Sequence, residues 1–204
     1  STQHQQFFVM YGQTEATARI AFLPGDRALL KPESIGRVIP DGKLSLRDEL
    51  GRDIIENNSP GELVYQGQNV MLGYAQNVAE LAAFNPAEKL LTGDIAYQDE
   101  DGDFFITGRL KRFIKLLGQR INLDEVELLL LEKGFETYCC GDDSKLLVAV
   151  ENTNDIKSLK NLINEHLQIH SSVIQILKVA ALPLTDRGKK DYYAIQGLAG
   201  LKAG

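Results

Sequence analysis

The first half of the chain alternates short apolar runs with turn residues. "QQFFVMYG", "GKLSLRDELG", "GELVYQG" and "GDFFITG" each carry β-branched or aromatic residues and stop at glycine, which predicts antiparallel strands joined by tight turns. One stretch breaks this rhythm. In "NVAELAAF" the apolar residues Val78, Leu81, Ala82 and Ala83 recur at near-helical spacing, which predicts a short helix.

Past about residue 108 helices and strands alternate. "RFIKLLGQRI" predicts a hairpin turning at Gly118-Gln119, and Asn122, three residues before Glu125, predicts a box-like cap for the helix "LDEVELLLLEKG", closed by Gly134. "KLLVAVE" reads as a strand. "DIKSLKNLINEHLQI" reads as an amphipathic helix with Ile156, Leu159, Leu162 and Ile163 on one face, and "VIQILKVAAL" as another strand. The expected fold class is therefore α+β: a β-rich segment over residues 1–108, then a small α+β domain over 109–204.

Composition changes this picture little. The 204 residues are 44% hydrophobic and 25% charged, as in an ordinary globular protein. No run approaches the roughly 18 apolar residues of a membrane helix and no signal segment opens the chain, so a cytoplasmic location is expected. A net charge of −6 with scattered Lys and Arg argues against a nucleic-acid partner. The adjacent Cys139 and Cys140 bridge no distant segments and read as reduced, partly buried thiols. "EHLQIH" places His166 and His170 four apart on a predicted helix, a metal-gripping spacing but with no obvious third ligand, and they read as ordinary surface or half-buried histidines.

The candidate chemistry lies in polar clusters that each have a bland reading. Asp94 in "LLTGDIAY" starts a strand after a Thr-Gly-Asp turn, or accepts hydrogen bonds from a vicinal diol such as a ribose. Arg109 is a solvated charge, or a planar donor fork for phosphate or ribose oxygens. Lys189 in "LTDRGKKD" is one lysine of a basic loop, or a compact charge brought to a transferring group. In "FVMYGQTEA", Tyr11 offers an aromatic face to a purine, Thr14 a hydroxyl to a phosphate and Glu15 a hard oxygen ligand to Mg²⁺. Together they describe a nucleotide site.

In order, "YGQTE", "GELVYQGQNVMLGY", "LTGDIAYQDEDGDFFITGR", "GRLKRFIKLLGQRINLDEVE" and "PLTDRGKKDY" resemble the C-terminal part of the AMP-forming acyl-CoA synthetase, adenylation-domain and luciferase superfamily. The resemblance implies a β-rich remnant of a large ATP- and acyl-binding domain followed by a small mobile lid domain. It implies a ligase that forms an acyl-adenylate and pyrophosphate from a carboxylic acid and ATP, then transfers the acyl group to a thiol, often coenzyme A. By the same resemblance, the "YGQTE" segment, including Gly12 and Gln13, lines the nucleotide. Tyr11 stacks on adenine, Thr14 contacts phosphate, Glu15 binds Mg²⁺, Asp94 and Arg109 bind the ribose, Lys111 is the hinge and Lys189 is the catalytic lysine of adenylation. The hairpin around Gly118, Gln119 and Arg120 lines the thiol tunnel, with Arg120 near a coenzyme A phosphate.

Two departures shape the expectations. Relatives carry a Ser/Thr/Gly-rich phosphate loop and most of the acyl pocket upstream of "YGQTE", and residues 1–204 contain neither. The chain thus reads as a piece of a longer enzyme, inactive alone, with uncovered strand edges able to pair with a second copy. Many relatives also place arginine where this chain has Tyr192, and Lys190 is a rival to Lys189 by charge alone. The alternatives are a ligase that loads a carrier-protein phosphopantetheine arm, and a non-catalytic interaction module that keeps the fold.

Overall fold

A computed structural model describes residues 7–75, 77–82, 88–151 and 155–200, and the chain divides into two compact units, Ser1–Leu110 and Lys111–Gly204. The first unit contains β1 (Val9–Gln13), β2 (Ala16–Leu23), α1 (Gly25–Ala28), β3 (Ser34–Val38), β4 (Lys43–Arg47) and β5 (Asp53–Ile54). It continues through β6 (Gly61–Gln66), α2 (Val78–Ala82), β7 (Leu90–Gln98) and β8 (Phe104–Arg109). The strands form one antiparallel sheet in the order β1-β2-β3-β8-β7-β6-β4-β5.

Strand β6 lies inside that sheet and is buried from Gly61 through Tyr65. Its near-continuous apolar run reflects burial on both faces. Its Leu63 and Tyr65 enter two clusters of buried apolar side chains among the described residues, one with Ala21, Ile35, Leu46, Ala96 and Phe104, the other with Ala16 and Ile20. The predicted helix from residue 77 is present as α2, while Ala83 and Phe84 lie outside the described residues.

The second unit holds β9 (Phe113–Leu116), β10 (Gln119–Asn122), α3 (Leu123–Glu132), β11 (Thr137–Gly141), β12 (Leu146–Glu151), α4 (Ile156–Leu167), β13 (Ile174–Val179) and α5 (Tyr192–Leu198). Strand β12 pairs antiparallel with β11 and parallel with β13, the latter through the crossover helix α4. Successive residues of a strand face opposite sides. Cys139 and Val148 therefore pack in the cluster that takes Val126, Leu130, Leu159 and Ile163 from α3 and α4, while Cys140, Leu147 and Ala149 meet Ile195 of α5. The two cysteines are free but fully buried where partial burial was expected, and burial pushes the Cys140 thiol up to about 11 and raises that of Cys139 as well.

The capping expectation for α3 holds: Asn122 Oδ1 accepts from the Asp124 amide at 3.1 Å, its Nδ2 donates to Glu125 Oε1 at 3.0 Å, and Gly134 follows the helix at φ +85°. Two local expectations are corrected. The β9–β10 hairpin turns at Leu117-Gly118, not Gly118-Gln119, because Gln119 pairs with Leu116 and both turn residues have positive φ, +52° and +83°. That register buries Ile114, Leu116 and Ile121 together, and a one-residue slip would turn the set outward. His166 and His170 do not share a helix: α4 closes at Gln168, which is left-handed, and His170 instead caps a 3₁₀ turn, accepting from the Ser172 amide at 3.2 Å.

Candidate nucleotide site

Thr14 and Glu15 are the two-residue tip of the β1–β2 hairpin, since Gln13 pairs with Ala16. Gly12 lets the strands approach: a Cβ there would lie 3.0 Å from both the Ala18 carbonyl oxygen and the Arg19 Cα. Residues 70–74 brace the tip. The Met71 amide donates to the Glu15 carbonyl at 2.8 Å, Val70 bridges to Ala16, and the Tyr74 hydroxyl donates to Glu15 Oε1 at 2.7 Å. That phenol bond, helped by the charge of Arg109, holds the Glu15 carboxyl below the usual carboxylate range. Glu15 is thus an ionised hard ligand, and one carboxylate beside substrate phosphates is the way Mg²⁺ is commonly held.

Asp94 lies in β7 directly after Gly93, whose φ of +72° bends the strand. The expected Thr-Gly-Asp turn is therefore an irregularity inside a strand. The Thr92 hydroxyl donates to the Leu63 carbonyl at 2.8 Å and accepts from the Asp94 amide at 3.1 Å. Across the ladder Arg109 stands opposite Asp94, its Nε 3.0 Å from Oδ1. This pairing places Arg109 in the first unit, although the sequence reading assigned it to the second.

The other carboxylate oxygen, Oδ2, accepts from the Tyr11 hydroxyl at 2.5 Å and from Gln13 Nε2 at 3.1 Å; Gln13 Nε2 also lies 2.9 Å from the Thr92 carbonyl. Asp94 is 3% exposed, while the Arg109 side chain is 67% exposed. The carboxylate is thus desolvated and fixed, and the guanidinium presents its remaining donors to solvent. Burial and the acceptor Asp94 push the Tyr11 phenol well above its ordinary range. A carboxylate offers about four lone-pair sites, so Asp94 keeps acceptor capacity for a hydroxyl beside the Arg109 fork.

A second acidic group carries no metal signal. Asp99, Asp101 and Asp103 bring carboxylate oxygens within 4.8 Å of one another in the β7–β8 connection. Lys31 Nζ already lies 2.5, 2.6 and 2.9 Å from them in turn, and Arg27 and Arg37 also pair with Asp103. Lysine sits where a cation would sit.

In the second unit Lys189 lies on a tight hairpin. The Thr185 amide donates to the Lys189 carbonyl at 2.7 Å, the Lys189 amide to Thr185 Oγ1 at 3.1 Å, and Gly188 turns at φ +71°. Lys189 is exposed. Lys190 is exposed as well, but its Nζ lies 2.6 Å from Glu127 Oε2. Lys111 lies in the 3₁₀ turn Leu110–Arg112, where the chain passes from one unit to the other. Gly118 occupies its hairpin tip, and the Arg120 guanidinium covers the Phe113 ring at 4.5 Å.

Residues 2–75 match the model of the AMP-binding enzyme family. Along the whole of this chain, the non-ribosomal peptide synthetase CmlP of Streptomyces venezuelae is 31% identical, the match covering 22% of that protein. Luciferin 4-monooxygenase of Photuris pensylvanica is 36% identical over 60% of this chain and 22% of its own length. The chain belongs to the adenylate-forming, AMP-binding superfamily. It spans about a fifth of the length of these two relatives. The fold agrees: the Bacillus subtilis O-succinylbenzoate coenzyme A synthetase, solved with ATP and magnesium ion, superposes with a TM-score of 0.66 at 21% identity, covering 91% of this chain and 40% of that one.

Within the first unit, the structure gathers Tyr11, Gln13 and Arg109 around the carboxylate of Asp94 and puts Thr14 and Glu15 on the adjoining hairpin tip. Lys111, Gly118, Arg120 and Lys189 belong to the other unit. Three supporting residues escaped sequence reasoning. Thr92 looked like a turn former, Tyr74 sat unremarked in "VMLGY", and Glu127 looked like one more helix glutamate.

Proposed function

We propose that this chain is part of an ATP-dependent, AMP-forming carboxylate ligase. The carrying observation is the buried Asp94, aimed by Tyr11 and Gln13 and flanked by the exposed fork of Arg109: an acceptor and donors side by side suit the ribose of ATP or AMP. The half-buried ring of Tyr11 contributes the aromatic wall for adenine, and Gly12 and Thr14 bring backbone and hydroxyl to the phosphates. Glu15 would hold Mg²⁺, which when bound neutralises phosphate charge.

In the reaction, a carboxylate oxygen bonds to the α-phosphorus of ATP as the bond to pyrophosphate breaks. Lys189, exposed on its hairpin, supplies positive charge to the oxygens on which negative charge develops. A thiolate then attacks the acyl carbon and AMP leaves. Lys111 serves as the hinge between the nucleotide-binding unit and a mobile second unit, whose Gly118 tip and Arg120 line the thiol path.

Coenzyme A is the acceptor in the first reading. The 31% identity over the whole chain to a non-ribosomal peptide synthetase favours a second, in which a carrier-protein phosphopantetheine arm takes the acyl group. Pyrophosphate release by the complete protein should be measured over a panel of carboxylic acids, with coenzyme A, a phosphopantetheinylated carrier protein or neither. Carboxylate-dependent release that disappears in Asp94→Ala supports the ligase. Retention of the nucleotide fold with no release for any acid favours the non-catalytic module.

A further inference from the structure

Glu127 is a buried carboxylate, 7% exposed, with donors on both oxygens. Oε1 accepts from Arg112 Nη2 at 2.5 Å and from the Cys139 amide at 2.8 Å; Oε2 accepts from Lys190 Nζ at 2.6 Å and from the Tyr192 hydroxyl at 3.2 Å. Arg112 is itself fixed, with Nε 2.7 Å from Asp124 and Nη1 2.7 Å from the Cys139 carbonyl, and its guanidinium lies 3.9 Å from the centre of the Tyr192 ring. Two of the four donors therefore come from Lys190 and Tyr192, one and three residues after Lys189, and a third from the residue immediately after Lys111.

The geometry has a consequence for Lys189. Lys190 bridges antiparallel to Leu184, and the Thr185 amide bonds the Lys189 carbonyl, so the two arms of the hairpin pair at the residue next to Lys189. Changing which residue of a paired arm makes the bridge moves every side chain beside it. Holding Lys190 Nζ on Glu127 therefore fixes where the adjoining bend carries Lys189. Tyr192 adds a second attachment two residues further on, and it lies where many relatives place arginine. Here the guanidinium comes instead from Arg112, stacked on the Tyr192 ring.

We propose that Glu127 is the positioning residue for Lys189: by anchoring Lys190 and Tyr192 to the same carboxylate that holds Arg112, it fixes the register of the lysine hairpin and ties that hairpin to the hinge-side residue. Glu127 acts through Lys190 and touches no substrate. This inference rests on Lys189 being the adenylation lysine.

The test uses the complete protein and the acid giving most pyrophosphate release. Two half-reactions are followed separately: ATP–pyrophosphate exchange, and thioester formation from supplied acyl-adenylate. Amide hydrogen exchange is followed over residues 185–191. Lys189→Ala checks the underlying assignment, and if it leaves pyrophosphate exchange intact, that assignment fails and the proposal with it. With Lys189 confirmed, Glu127→Gln should lower pyrophosphate exchange roughly 10²-fold, the scale expected when a reacting group is misplaced by about an ångström. Thioester formation should be spared and amide exchange at 185–191 accelerated.

Lys190→Met leaves the Arg112–Glu127 pair in place, so it keeps the test open if Glu127→Gln does not fold. It should give a smaller loss of the same half-reaction, restored by Lys190→Arg. Equal loss of both half-reactions, or unchanged pyrophosphate exchange in both Lys190→Met and a folded Glu127→Gln, overturns the proposal while leaving the role of Lys189 standing.

Discussion

Asp94 and Arg109 face one another across β7 and β8 with Nε 3.0 Å from Oδ1, one side chain buried and the other open to solvent. The asymmetry suits a ligand better than a stability role, because an ion pair with one exposed partner contributes little by itself. Asp94→Ala should weaken AMP binding by the complete protein roughly 10- to 100-fold, the equivalent of losing charge-assisted hydrogen bonds of about 1.5–3 kcal/mol. Calorimetric titration with AMP checks this, and unchanged affinity would remove Asp94 from the site.

Tyr11 supports that carboxylate through its hydroxyl, and burial raises the pH at which its phenol ionises in the folded state, as it does for Tyr192. A phenol whose folded value lies above its unfolded value of about 10 contributes stability that is complete below that pH and lost as pH rises through the folded value. Denaturant stability should therefore decline above about pH 10. The decline should be shallower in Tyr11→Phe, which should itself lower stability near neutrality by about 1.5 kcal/mol for the lost bond to a charged acceptor.

The Tyr74 hydroxyl lowers the titration of Glu15. In Tyr74→Phe the Glu15 side-chain resonance should titrate at higher pH than in the parent. Any metal-dependent step should then begin to fail at higher pH on acidification. An unmoved titration would show that the phenol does not hold the carboxylate in solution.

Arg112 and Glu127 form a buried pair, whereas Lys189 is exposed. Arg112→Ala leaves a buried carboxylate short of a partner and should destabilise the chain by about 3–5 kcal/mol. Lys189→Ala should leave stability within about 0.5 kcal/mol, as surface substitutions usually do. Chemical denaturation of the two variants checks the contrast.

Leu117 is exposed and held at φ +52°, a conformation that costs a side-chain-bearing residue roughly 1 kcal/mol. Leu117→Gly should relieve part of that cost and leave the melting temperature unchanged or raised. A clear fall would mean that the leucine side chain makes a contact that outweighs the strain.

Much of the fold was legible in local patterns. The strands that became β4, β6 and β8 stand in period-2 or continuous apolar runs between glycines, β12 is a continuous apolar run, and α3 and α4 carry their caps in the residues that precede them. Strands β2, β3 and β7 were harder to see, because a strand such as "ATARIAFL" shows a mixed pattern of buried and exposed positions. Local pattern could not show which side of the boundary Arg109 falls on, because only cross-strand pairing ties it to Asp94.

The sequence by itself determined the chemistry available: a hard carboxylate, an acceptor, a guanidinium fork and a lysine, in an order matching one superfamily. It could not say which acid is aimed and which is neutralised. Tertiary structure decided that Asp94 is held by Tyr11 and Gln13, that the Asp99, Asp101 and Asp103 cluster is filled by Lys31, and that of two adjacent exposed lysines it is Lys190 that pairs with the buried Glu127. The reason is physical. A charge becomes functional or structural according to its desolvation and its partners, and those partners lie up to 83 residues away in sequence.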